Sequence, residues 1–371
     1  MKPVLQYPFP EVPAPGQTIE IAPGVLWLRM SLPLALDHIN LYMLEDVDGW
    51  WVIDTGMRGE STRAHWESVF ASPELGGKPV KAILCTHCHP DHIGQAGWLS
   101  ERWHAPLYMT GGEYFLGRVF CSPLSDGPLW EALDFYARAG ASQEFLERMS
   151  KGGRGFSAMA EPMPRSFHRL NHGDTLDIAG HRWEAVVGRG HSPEHLCLLD
   201  RTRGLLLSGD QVIPIITSNV SVMAIEPDGN PLADWLDSHR RFLDEVPDEV
   251  LVLPAHNTPF RGLHARLRHL LAHHGDHLRA LEAACVEPRT AVELLPVIFK
   301  RALGAEQFSL AIGELIAHLH HLMAEGRLGR ETAADGLDRY AATDPLRAAR
   351  LRDGGNGAEE DTLMDFEAQA V

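Results

Sequence analysis

The stretch KAILCTHCHPDHIG, residues 81–94, constrains the fold more than any other part of the chain. An apolar run of strand character leads directly into His87, His89, Asp91 and His92. A tight loop after a strand can turn all four side chains into one cleft. Imidazole and carboxylate donors with a coordination position left open are what a catalytic metal site requires. Three more donors stand at the ends of other β runs: His191 after WEAVVGRG, Asp210 after GLLLSG and His256 after VLVLPA. Layered α/β folds place their sites at that strand edge, so these residues are expected to converge. Asp54, after WWVI, occupies the same kind of position and can orient a ligating His through its far ring nitrogen.

Around these residues the chain reads as short β runs with helices between them. VLWLRM, INLYMLE, WWVI and KAILC have strand character, while Ser61 to Phe70 and Ile93 to Trp103 space their apolar residues helically. A second β-rich block runs from Asp174 to Asp210, followed by a helix around Trp235 to Leu243 and the run VLVLPAH. This is the pattern of layered α and β elements. We expect a Pro-rich lead at 1–23, a catalytic domain at 24–264 with an aromatic-rich helical insert at 110–170, a small helical domain at 265–345, and an acidic tail at 346–371. The doublets His273/His274 and His320/His321 are expected on solvated helix surface, and KGGRGF, Lys151 to Phe156, as a flexible loop.

The balance of 33 Lys and Arg against 50 Asp and Glu gives a formal charge of −17. It argues against nucleic acid and anionic membrane as partners and leaves a small-molecule substrate. Oligomerisation stays open. Between residues 265 and 345 the count is nine basic against eleven acidic side chains, without the excess that phosphate-backbone binding wants. Five Cys (Cys85, Cys88, Cys121, Cys197, Cys285) form no regular framework and read as reduced thiols. No apolar run reaches the roughly 20 residues that span a bilayer, and prolines interrupt the start, so a cytoplasmic location is expected.

In order and context, HxHxDH, His191 in GHSPEH, Asp210 in SGD, His256 in LPAH and Asp54 in DTG resemble the metallo-β-lactamase fold superfamily of metal-dependent hydrolases, over roughly residues 24–262. The resemblance implies a four-layer αββα sandwich and two divalent metal ions, zinc first, with iron and manganese accepted by the same donors. It assigns His87, His89 and His191 to one ion, Asp91, His92 and His256 to the other, and Asp210 to both. His89 stands where the diiron oxygen reductases of this fold carry Glu, which disfavours that chemistry. GHSPEH looks like the GHTxGH segment of the glyoxalase II branch, but Glu194 replaces the second Gly and Pro193 stiffens the turn, which puts a glutathione thioester in doubt. Gln95 follows Gly94 where Gly is common, and Cys88 is expected to point away from the ligands. HHGDHLRALEAAC, TAVELL and GELIAHLHHLMAEGRL are similar to the winged-helix-like extension of the β-lactamase-like protein 2 group. There the extension packs beside the site, which makes Arg261 and Arg279 candidates for substrate contact or for surface ion pairing.

These readings lead to a dinuclear metal-dependent hydrolase cleaving an ester, thioester or lactone of a small metabolite by a metal-bridging hydroxide, with Asp91 handling the proton. The alternatives are a sulfur dioxygenase with one iron on His87, His191 and Asp210, a phosphodiester or RNA hydrolase, and a non-catalytic metal-binding module.

Overall fold

In the strand VLWLRMS, Val25 and Trp27 point to one face and Leu26, Leu28 and Met30 to the other, and all five are buried. A strand that is apolar on both faces must be covered on both, which sets the layering. The structure, a computed structural model, describes residues 3–33, 36–122, 130–152, 155–301, 303–304 and 307–354. Most of the expected acidic tail and two residues of KGGRGF lie outside them.

One sheet has the order β1 (Thr18–Ala22), β2 (Val25–Ser31), β3 (His38–Glu45), β4 (Trp50–Ile53), β5 (Val80–Leu84), β6 (Leu107–Met109), β7 (His168–Arg169). The other has β8 (Thr175–Ile178), β9 (His181–Gly188), β10 (His195–Asp200), β11 (Leu205–Gly209) and β12 (Leu251–Pro254), ordered β12-β11-β10-β9-β8. Trp27, Tyr42, Leu44, Ile53 and Leu84 from the first sheet meet Trp183, Ala185, Leu198, Leu207 and Leu253 from the second in one core. On the outer face of the first sheet, Leu28, Leu41 and Val52 pack against Trp66 and Val69 of α1 (Glu60–Phe70). After the short turn α2 (Pro90–Ile93), α3 (Ala96–Trp103) adds Ala96 and Leu99 to that layer. The insert follows as α4 (Gly111–Phe120), α5 (Trp130–Arg138), α6 (Gln143–Ser150) and α7 (Gly155–Met159). On the far side, Val186, Cys197, Leu199 and Val252 pack against Phe242 of α8 (Pro231–Glu245) and Leu263 and Leu267 of α9 (Leu263–Ala284). The result is the four-layer αββα sandwich.

Three features depart from the sequence reading. The Pro-rich lead supplies the edge strand β1, antiparallel to β2. The C-terminal unit of α9, α10 (Ala291–Ile298), α11 (Phe308–Ala324) and α12 (Pro345–Gly354) also holds a three-stranded sheet of β13 (Arg289–Thr290), β14 (Leu328–Thr332) and β15 (Asp338–Ala342), ordered β13-β15-β14. One His of each doublet is buried instead of solvated. His274 is fully buried and His320 nearly so, because His274 continues the buried stripe Leu267, Leu270, Leu278, Leu281 along α9. That unit shares its core with Val220, Val222, Leu232 and Trp235, so it is packed onto α8 and the segment after Asp210. Among the described residues no helix is long and apolar enough to cross a membrane.

Candidate metal centre

β4 and β5 run parallel, as do β11 and β12, so their carboxyl ends lie on one edge of the sandwich. Asp54 follows β4, the loop of residues 85–92 follows β5, His191 follows β9, Asp210 follows β11 and His256 follows β12. His87, His89, His191 and Asp210 offer donor atoms within 4.8 Å of one another, and Asp91, His92 and His256 do the same. Asp210 lies between the groups: its Oδ2 is 3.5 Å from both His191 Nε2 and His92 Nε2, and its Oδ1 is 3.3 Å from His256 Nε2.

The hydrogen bonds on the far ring nitrogens fix which nitrogen faces inward. His92 Nδ1 donates to Asp54 Oδ2 at 2.8 Å, His191 Nδ1 to the Asn219 carbonyl at 2.7 Å, and His256 Nδ1 to the His38 carbonyl at 2.9 Å. Thr86 Oγ1 gives its single proton to Asp54, 2.8 Å away, so it accepts from His87 Nδ1 at 3.1 Å. In the neutral forms of these four rings Nε2 then carries a lone pair. They converge: His87 Nε2 is 3.2 Å from His191 Nε2, and His89 Nδ1 lies 2.9 Å from His87 Nε2. His92 Nε2 and Asp210 Oδ1 are buried without a hydrogen-bond partner. Buried acceptors facing one another repel unless a cation sits among them, so this donor set fits divalent metal ions.

The charges agree. Burial, followed by neighbouring imidazoles, pushes His87 well below the ordinary range, and burial brings His89 down to about 3. For His256 burial also works downward, but the Asp210 and Asp91 carboxylates override it and raise it to about 10. Asp210 is held well below the usual carboxylate range: burial opposes this, and His256 and His92 outweigh it.

Asp54 accepts the Thr86 N–H at 2.7 Å as well, and sits at φ 59°, a left-handed conformation that Asp tolerates better than most residues. Further residues support the ligands, and of these Glu113, Asn40 and Tyr42 have no signal in the sequence motifs. His195, fully buried, accepts the Asp210 N–H on Nε2 at 3.0 Å and lies 4.7 Å ring to ring from His87. Glu113 of α4 accepts the N–H of Cys88 at 2.9 Å and of Glu194 at 2.7 Å, joining the His87 and His191 loops. Glu194 in turn accepts the Gly112 N–H at 2.7 Å and so caps the start of α4, an anchoring that Gly could not supply. The Cys88 side chain interacts with Glu113, and Cys88 is in neither of the two donor groups. Gln95, fully buried, accepts from Arg63 Nε at 3.2 Å and donates to the Met57 carbonyl at 3.2 Å. The His256 loop is held by Asn40 Nδ2 and Tyr42 OH, both on the Pro254 carbonyl. Arg279 is paired with Asp276, and Arg261 donates to the Glu249 carbonyl at 2.5 Å.

This layering and this strand-edge centre define a class that comparison with known proteins identifies. Residues 34–256 match the Metallo-beta-lactamase superfamily, and residues 278–343 match the family Metallo-beta-lactamase-like, C-terminal domain. The chain belongs to the metallo-beta-lactamase superfamily and is a hydrolase of that superfamily. It is 42% identical to a beta-lactamase domain protein from Burkholderia ambifaria, whose crystal structure superposes with a TM-score of 0.85 over 91% of this chain and 98% of that one. It is 25% identical over 231 residues to the probable metallo-hydrolase YqgX of Bacillus subtilis (strain 168), 62% of this chain and 89% of that protein. It is 23% identical over 241 residues to the acyl-coenzyme A thioesterase MBLAC2 of Gallus gallus, 64% of this chain and 79% of that protein.

Proposed function

We propose that the chain is a dinuclear metal-dependent hydrolase of small esters, thioesters or lactones, with the catalytic unit at 24–264 and a winged-helix-like unit at 265–345. The observation that carries the reading is Asp210, whose two oxygens approach His191 and His92 on one side and His256 on the other at 3.3–3.5 Å. His87, His89 and His191 would hold one ion, Asp91, His92 and His256 the second, and Asp210 both. Paired divalent ions, zinc first, lower the pKa of water and polarise a carbonyl oxygen. Asp54 and Thr86 keep His92 and His87 in the tautomers that ligation needs, and His195 holds the Asp210 backbone. Asp91 is the more accessible carboxylate of the centre, 3.5 Å from His256 Nε2, and is the residue we assign to move the proton between attacking water and leaving group.

The thioesterase relative supports an acyl thioester within that class. Protein purified without added metal or chelator should carry about two ions per chain and turn over members of a panel of acyl thioesters and lactones. A single iron per chain, with oxygen consumption on a persulfide, would replace this reading by the sulfur dioxygenase. Turnover of phosphodiesters alone would replace the substrate class.

A further inference from the structure

We infer that α11 of the C-terminal unit is part of the metal-binding machinery, with Glu314 a positioning residue for His191. The inference rests on the reading of His191 as a ligand. His191 Nδ1 donates to the backbone carbonyl of Asn219, and that carbonyl decides both the tautomer and the direction of the ring. Asn219 is itself gripped through its side chain. Its Nδ2 donates to Glu314 Oε2 at 2.8 Å, and its Oδ1 accepts from Ser221 Oγ at 2.6 Å. A carboxylate only accepts, so Glu314 also decides which way the carboxamide faces.

Helix α11 comes close enough for this because residue 313 is Gly. Val222 N donates to the Gly313 carbonyl at 3.0 Å, and a Cβ on Gly313 would lie 2.8 Å from the Val222 carbonyl oxygen and 3.0 Å from Ser221 Cβ. Glu314 is 5% exposed and 95 residues beyond Asn219, and Gly313 is buried within α11 against the same segment. The C-terminal helix therefore reaches His191 through one side chain and one carbonyl. The catalytic sandwich is incomplete without it, and Glu314 has no part in the reaction itself.

The test uses the full chain and Zn2+ as probe. Zn2+ affinity is measured by competition with a chromophoric chelator, and the His191 tautomer in the metal-free protein by long-range 1H–15N NMR. Glu314→Ala should weaken one of the two ions about 10- to 100-fold and lower the population with the proton on His191 Nδ1. Glu314→Gln keeps an acceptor oxygen for Asn219 and should stay within a few-fold of the parent. Gly313→Ala retains the carboxylate but wedges α11 from the segment, and should reproduce the loss. Parental affinity and tautomer in a folded Glu314→Ala chain would overturn the inference, as would parental affinity in Gly313→Ala if Glu314→Ala does not fold. His191→Ala, measured separately, should lose one ion. If it binds both as the parent does, the reading of the centre fails first and the inference falls with it.

Discussion

Glu113 Oε2 accepts the backbone N–H of Cys88 at 2.9 Å, while its other oxygen accepts the N–H of Glu194 at 2.7 Å. One fully buried carboxylate thereby ties together the loops that carry His87, His89 and His191. Burial raises its pKa, and the N–H groups work against that rise. Glu113→Ala would leave two buried donors unpaired at a cost of about 1–3 kcal/mol each. We expect the metal-free chain to melt several degrees lower and its metal affinity to fall at least tenfold. Glu113→Gln, which keeps one oxygen, should fall between the two. Melting and affinity both at parental values would show that the carboxylate holds nothing.

Asp54→Asn separates tautomer control from folding. Asn tolerates the left-handed conformation at φ 59° as well as Asp does, so the backbone should persist. Either orientation of its amide, however, fails to satisfy both Thr86 and His92, which share the carboxylate at 2.7–3.1 Å. The His92 proton is then no longer confined to Nδ1. We expect about a 10- to 100-fold loss of metal affinity with little change in far-UV circular dichroism. Unchanged affinity would mean that Asp54 serves the turn alone.

Much of this was legible because burial leaves a periodic trace. The strands β2, β4, β11 and the end of β5 and of β9 are apolar on both faces and read as continuous runs, and the ligand candidates stand at the ends of such runs. Asp54 was legible as a support because it too ends a strand run, whereas the supports that join distant parts of the chain were not. Glu113 and Glu194 are 81 residues apart, and Asn219 and Glu314 are 95 apart, so no local pattern joins them. β6 and β7 are three and two residues long, too short for alternation to appear. His274 is a different case. The stripe Leu267, Leu270, Leu278, Leu281 passes through it, so the helical period already placed it inside, and only its chemical character suggested water.

Gly190 precedes His191 at φ 105°, and a Cβ there would lie 2.4 Å from Trp235 Cβ and 2.6 Å from the Pro231 carbonyl oxygen. Backbone and a fully packed Trp cannot move aside, so Gly190→Ala combines left-handed strain with displacement of α8. The expected cost is about 3 kcal/mol or more. In urea unfolding the midpoint should drop, and the chain that remains folded should bind one ion weakly. A midpoint within error of the parent would contradict the packing described here.

Asp46 offers a test at a distance from the ligands. Its Oδ1 accepts the N–H groups of Val47 and Ala179 at 2.8 and 3.0 Å, and its Oδ2 lies 2.7 Å from Lys81 Nζ, so it joins the turn after β3 to the turn between β8 and β9. Burial pushes the carboxyl up, but Lys81 and the N–H donors win and bring it down to about 2. The unfolded chain takes up this proton near about 3.9. Between those values the unfolded state binds more protons than the folded one, so the stabilisation is complete above about pH 4 and is lost as pH falls through about 2. Its full size corresponds to roughly 2 kcal/mol. Asp46→Asn should therefore be less stable than the parent at pH 7, and the gap in unfolding free energy should shrink to roughly half by pH 3. A gap that stays constant from pH 7 to pH 3 would show that Asp46 acts through shape alone and that its charge contributes nothing to joining the two sheets.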